Sequence, residues 1–305
     1  MPKSQQESHR DLYEARFLGW IKKAYRSTRR RLKGLVRRCK FFYLRTFRSF
    51  GQEDLLAHLK GLGLKPGDRV LVHGSFDSFG GFRGTPSDVL AALRSAVGST
   101  GLVMMPTTPF SGLALDYALS GAVLDVLKTP SRMGILSEVF RRSPGVVRSV
   151  HPTHPVAIWG AGAKEWSLGH EQAKTPCGAG SPYRKLLDAQ GRVLFLGTGI
   201  ESLTFLHALE EIYESRLPKS PFTSKVFHLK TRDEAGTLVP TDTRLFDATV
   251  ARLRRPERLI PLLQKTSSWR SKYLRSLSVS LLDCEAARLA FESLCDSGEY
   301  CYDFA

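Results

Sequence analysis

Four short runs of consecutive apolar residues, each closed by a turn signal, constrain this chain more than any other feature. They are Val70-Leu71-Val72, Leu102-Val103-Met104-Met105, Val156-Ala157-Ile158-Trp159 and Val193-Leu194-Phe195-Leu196. A strand with one wet face alternates apolar and polar residues, whereas a strand apolar at every position must be covered on both faces. Helical stretches between the runs supply that cover. One spans residues 53–62 (Leu55, Leu56, Leu59) and ends at Gly61 and Gly63. Another starts at Thr85-Pro86-Ser87-Asp88, with an N-cap, a proline at the first helical position and an acid in the first turn, and runs to Gly98. Further helices are expected at 135–142, 204–213 and 280–294, the last carrying Leu281, Leu282, Ala286, Leu289, Ala290 and Phe291. Val226–Leu229 and Thr237–Val239 flank Asp233-Glu234-Ala235-Gly236 as a hairpin. The pattern predicts an α/β fold: a largely parallel central sheet flanked by helices, with an antiparallel hairpin addition.

Charge sets a boundary on this body. The chain has 305 residues and a formal net charge of +16. Residues 1–50 hold 15 Lys and Arg against 3 Asp and Glu, while the rest hold 30 against 26. A basic helical arm therefore precedes a nearly balanced body, giving units 1–50 and 51–305. Phe17, Trp20, Ile21, Tyr25, Leu32, Leu35, Val36 and Phe42 recur at helical spacing among the basic residues, and Gly34 interrupts them. Such an arm suits packing on the body, self-association through residues 12–50, or an anionic membrane surface. Nucleic acid ranks below these, because charge alone carries no base readout. No run of 18 apolar residues is present, and the start lacks a secretory pattern. Five cysteines without CxxC spacing argue against a zinc site or a disulfide framework. The expectation is a cytoplasmic protein, either free or peripheral at the inner face of the membrane.

Two places carry chemistry. The turn His73-Gly74-Ser75-Phe76, set between a strand and a capped helix, offers backbone amides and a helix N-terminus to an anion such as a pyrophosphate. It is neither a P-loop nor GxGxxG. Five histidines of the body (His73, His151, His154, His170 and His207) stand near strand ends, loops or helices, yet no familiar metal-ligand motif joins them. His207, Glu210 and Glu211 share one helix face, so a carboxylate can fix the imidazole tautomer and raise its basicity. That is the pattern of a general base; a solvated surface cluster is the competing reading. No GxSxG elbow is present, and Cys177 reads as a spectator.

Taken in order, these motifs resemble the aminoglycoside 3-N-acetyltransferase family. The matching blocks are His73-Gly74-Ser75; Gly98 with Leu102-Val103-Met104-Met105-Pro106-Thr107; Asp125 with Thr129-Pro130-Ser131-Arg132-Met133-Gly134; Arg148-Ser149-Val150-His151-Pro152-Thr153; Gly180-Ser181-Pro182; Val193 to Gly197; and Thr204 through His207 to Glu210. Together they cover about residues 53–304. The resemblance implies an N-acetyltransferase of amino sugars that uses acetyl-CoA in direct transfer, with no metal. His207 would be the base and Glu210 its orienting partner. His73, Gly74, Ser75, Phe76, Thr107 and Ser149 would contact the donor, and Thr107 or Thr204 would face the oxyanion. Asp77, Asp125, His151, His154 and Glu211 would face the acceptor. His-Gly-Ser replaces the family's His-Ser-Ser, and the weakly charged body suggests an acceptor less cationic than an aminoglycoside, such as an amino sugar of a nucleotide- or lipid-linked glycan. Two alternatives remain: a membrane-associated protein of cell-surface glycan synthesis using another acyl donor, and a non-catalytic binding protein.

Overall fold

A computed structural model describes residues 43, 44 and 46–304. The expected basic arm lies almost wholly outside the described residues. The chain divides into two units, Met1–Ser49 and Phe50–Ala305, and the elements below belong to the second.

Helix α1 (Gln52–Gly61) leads into β1 (Arg69–Gly74), and α2 (Pro86–Val97) leads into β2 (Leu102–Pro106). Then come α3 (Ala114–Leu119), β3 (Leu124–Asp125), α4 (Ile135–Arg141), β4 (Val147–Arg148) and β5 (Val156–Gly160). Helices α5 (Ala163–Ser167) and α6 (Pro182–Asp188) precede β6 (Arg192–Leu196) and α7 (Leu206–Ile212). The hairpin β7 (Phe222–Arg232) and β8 (Leu238–Phe246) is followed by α8 (Ala248–Ala251), α9 (Leu259–Lys265), β9 (Trp269–Leu274), β10 (Leu277–Asp283) and α10 (Cys284–Ser297).

The larger sheet has seven strands in the order β4-β5-β2-β1-β6-β10-β9. β1 lies in the middle, parallel to β2 and β6, and every other neighbouring pair is antiparallel. Strands β4, β2, β1, β6 and β9 therefore run one way and β5 and β10 the other, so the sheet is largely parallel in direction. Its two faces bury separate cores. Leu71, Met104, Ile158 and Phe195 point to the side covered by α6, α7 and α10. Val70, Val72, Val103, Met105 and Leu194 point to the side covered by α1, α2 and α4. This is why the runs are apolar at every position. The α2 start forms as expected: the Asp88 carboxylate accepts from the Thr85 backbone N–H at 2.7 Å and from its hydroxyl at 2.8 Å.

Three expectations change. Ser280–Asp283 is not the start of the last helix but the end of β10, which pairs with β6; the helix begins at Cys284. Leu281 and Leu282 are both fully buried because a strand sends them to opposite cores. The hairpin is longer than its most apolar part, and with β3 parallel to β7 it forms a separate three-stranded sheet. Thr204 precedes α7 rather than opening it. Among the described residues, no helix is long and apolar enough to cross a membrane.

Candidate active site

Parallel strands point their carboxyl ends to one edge of the sheet, and ligands of such sheets bind there. β1 and β6 end side by side, so the loops that follow them meet. The Ser75 N–H donates to the Leu196 carbonyl at 2.9 Å, and the Ser78 hydroxyl donates to the Gly197 carbonyl at 2.8 Å. A cleft of about 350 Å³ opens over this junction. Its walls are His73, Gly74, Ser75, Phe76 and Asp77 after β1, Met133, Gly134 and Ile135 at the start of α4, and Thr198 and Ser202 after β6. The lining combines two glycines and the hydroxyl residues Ser75, Thr198 and Ser202 with Phe76, Met133 and Ile135, a surface for a ligand that is partly anionic and partly apolar. Gly134 has φ 103°, a left-handed conformation that favours glycine, and no other group lies within 4 Å of where a side chain would stand.

The segment after β6 turns through Thr198–Thr204 into α7. On that helix the helical period brings His207 and Glu210 together, with Nδ1 to Oε2 at 2.8 Å. Glu210 is fully buried and His207 is 16% exposed. Burial alone would raise the Glu210 carboxyl, but Arg254 and then His207 hold it well below the usual carboxylate range. An ionised carboxylate only accepts, so Nδ1 carries the proton and Nε2 is left as the basic nitrogen. Burial lowers the His207 pKa, Glu210 draws it back up, and Arg254 lowers it.

Two partners of Glu210 come from distant sequence. Arg254 donates from Nε to Oε1 at 2.6 Å and from Nη2 to Oε2 at 3.0 Å. The Tyr302 hydroxyl donates to Oε1. Phe246, at the end of β8, places its ring 4.2 Å from that of His207 and 4.9 Å from the Arg254 guanidinium carbon. Sequence reading missed all three. Arg254 sits in a basic stretch, Arg252 to Arg258, whose charges look solvated, and no periodicity links residues 44 or 92 positions apart.

The other candidates divide. His73 lines the cleft, lies 4% exposed and stacks on Phe195 at 5.6 Å. Burial, together with the nearby His207, pushes its pKa down to about 3. His154 stands edge-on to Phe246 at 5.3 Å, beside His207. Asp77 borders the cleft, whereas Asp125 does not: its Oδ1 accepts from the Leu127 and Lys128 backbone N–H groups at 3.0 and 2.9 Å and closes a turn in the small sheet.

Thr107 and Ser149 are fully buried and engaged elsewhere. The Thr107 hydroxyl donates to the Pro155 carbonyl at 2.9 Å and accepts from Arg148, so it has no proton to offer an oxyanion. Ser149 accepts from the Val156 N–H at 2.8 Å and bonds His170 Nδ1 at 2.8 Å. His151 is buried and stacked on His170 at 4.4 Å. Glu211 is not among the cleft residues; its carboxylate lies against Gly178, where a side chain would collide with it. Cys177 is buried with its thiol pushed well up, which removes it as a nucleophile. Among the described residues, no group of three or more His, Cys, Asp or Glu side chains is placed to hold a metal ion.

A sequence profile of the aminoglycoside 3-N-acetyltransferases matches residues 71–294. The chain belongs to that family. The aminoglycoside 3-N-acetyltransferase profile takes in the cleft, His207, Glu210 and Arg254, and stops short of Tyr302. Aminoglycoside N(3)-acetyltransferase III of Serratia marcescens is 31% identical over 173 residues, which cover 52% of this chain and 64% of that protein. The matched stretch thus spans about six-tenths of the length of such relatives. The structure of aminoglycoside acetyltransferase AAC(3)-Xa superposes with a TM-score of 0.68 at 25% identity, covering 79% of this chain and 91% of that one. AAC-IIIb superposes with a TM-score of 0.69 at 24% identity, covering 82% of this chain and 97% of that one, a likeness of fold.

Proposed function

We propose that this protein is an acetyl-CoA-dependent N-acetyltransferase that acetylates an amino group of an aminoglycoside-type amino sugar, with His207 as general base. The observation that carries the reading is the buried Glu210 carboxylate 2.8 Å from His207 Nδ1, beside a cleft with two glycines in its lining. The names of the relatives agree with it, and the AAC-IIIb structure is a binary with CoASH. The donor fits what is present. The Ser75 N–H is taken by Leu196, so the amides of Gly74 and Phe76 on either side of it suit a pyrophosphate, and Met133 and Ile135 suit the apolar stretches of a pantetheine arm. His207 Nε2 takes the proton of the amine as its nitrogen attacks the thioester carbonyl carbon. The C–S bond then breaks, and the proton passes to the leaving thiolate. Glu210 holds the ring through both transfers.

The test is thiol release from acetyl-CoA across a panel of aminoglycosides and amino sugars. His207→Ala should lower kcat by on the order of a thousandfold. An enzyme that binds no acetyl-CoA, or whose turnover survives His207→Ala unchanged, would sink the reading. Acetylation of glycan-linked amino sugars but not of aminoglycosides would keep the chemistry and move the acceptor. The excess of 15 Lys and Arg over 3 Asp and Glu in residues 1–50 favours a second, separate role for that segment: peripheral attachment to an anionic membrane surface.

A further inference from the structure

We propose that Arg254 is a positioning residue of this site: its guanidinium fork holds the Glu210 carboxylate in the orientation that binds His207 Nδ1–H, so that Nε2 stays free to accept a proton. The inference rests on the reading of His207 as the base.

The geometry carries it from three sides. Arg254 meets both carboxylate oxygens, at 2.6 and 3.0 Å, and His207 meets one of them at 2.8 Å, so a single carboxylate couples the cation to the imidazole. A fork against a carboxylate fixes a plane, which a point charge does not. Phe246 touches both neighbours and keeps the guanidinium and the imidazole in register. Backbone pairing then locks Arg254 itself. It forms an antiparallel bridge with Tyr302, the Arg255 N–H donates to the Cys301 carbonyl at 2.8 Å, and the Asp303 N–H donates to the Leu253 carbonyl at 2.8 Å. The carboxyl-terminal segment thus serves as a splint for the arginine.

Charge points the same way. Besides Glu210 on its own helix and Arg254, the titratable groups facing His207 are His73 from β1 and His154 from the loop before β5. Cys177, Cys301 and Tyr302 face Glu210. Burial keeps the two histidines neutral by lowering them, and keeps the two thiols and the phenol neutral by raising them. Among these described groups, Arg254 is then the one fixed cation beside the dyad. Without it, Glu210 would be a buried anion whose remaining charged partner is a protonated His207. The base would be spent before the amine arrived.

The experiment is a histidine NMR titration of the full chain, with the His207 resonance assigned by its loss in His207→Ala, alongside the pH profile of kcat/KM. In Arg254→Gln the His207 midpoint should rise by about one pH unit or more, and the acid limb of the profile should move with it. Arg254→Lys keeps the charge but not the fork, so the midpoint should stay while kcat falls by about tenfold. Tyr302→Phe removes a neutral donor and should leave the midpoint in place. A folded Arg254→Gln with an unmoved His207 midpoint overturns the proposal. So does Arg254→Lys with wild-type kcat, which decides the matter should the glutamine variant not fold. The titration needs no turnover, so a failure of acetyl transfer in the wild type would count against the proposed function without touching this readout.

Discussion

His207 is held by groups that only a folded chain brings together, and the same is true of the other buried imidazoles. His73, His151, His154 and His170 are all pushed down by burial, His73 to about 3 and His170 to about 4. His170 spends both nitrogens on neutral partners, Ser149 and the Pro176 carbonyl at 2.9 Å. Such groups bind protons in the unfolded chain below about pH 6.5 but not in the folded one. Their contribution to stability is complete above that pH and is lost as pH falls toward the folded-state values. Each should cost up to about 1.4 kcal/mol per pH unit once the pH is well below 6.5. Denaturant unfolding at pH 7, 6 and 5 should therefore show stability falling steeply, and a flat profile would mean that the histidines titrate in the native state. Glu210 acts lower on the scale: Arg254 and His207 depress it, so its contribution persists above the ordinary carboxylate range and is lost only in stronger acid. At this scale the dyad was legible because three residues along a helix is a contact. Arg254, Tyr302 and Phe246 were not, because no local period encodes them.

Among the elements, β10 shows where pattern reading fails. Leu281-Leu282 followed by Ala286, Leu289 and Ala290 fits a helical face, and α10 does carry the last three. The strand before it gives another signal, Leu277, Val279 and Leu281 alternating with serines. Arg275, at φ 57° between β9 and β10, marks the tight reversal that makes the pairing possible. The strand assignment predicts an outcome that a helix would not. Leu281 and Leu282 occupy different cores, so Leu281→Ala and Leu282→Ala should each cost about 2–5 kcal/mol and add nearly in full in the double variant. Strong coupling between them in denaturant unfolding would put both in one core. The four apolar runs, by contrast, were read correctly, since continuous apolarity leaves no solvent-facing side and a doubly covered strand is the remaining solution.

For the whole molecule, the division at Ser49 and Phe50 makes the second unit a candidate for independent folding. We expect a chain beginning at residue 50 to unfold in one cooperative transition and to keep the kcat of the full chain on a free substrate. Sedimentation with vesicles rich in anionic lipid should be lost with the deletion if residues 1–49 act as the attachment. Loss of turnover instead would make those residues part of the catalytic body.

By itself the sequence determined the layered α/β class, the turn at the end of β1 and the pairing of His207 with Glu210, because each rests on spacing within one element or between neighbours. Which residues wall the cleft, and which groups hold the carboxylate, were decided by strand order. Placing β1 beside β6 joins loops more than a hundred residues apart, as Ser78 bonding Gly197 shows. Thr107 and Ser149 show the converse. Their hydroxyls suit a donor site in sequence, but the fold spends them on Pro155, Arg148, Val156 and His170, because a buried polar group must find its partner wherever the chain has put one.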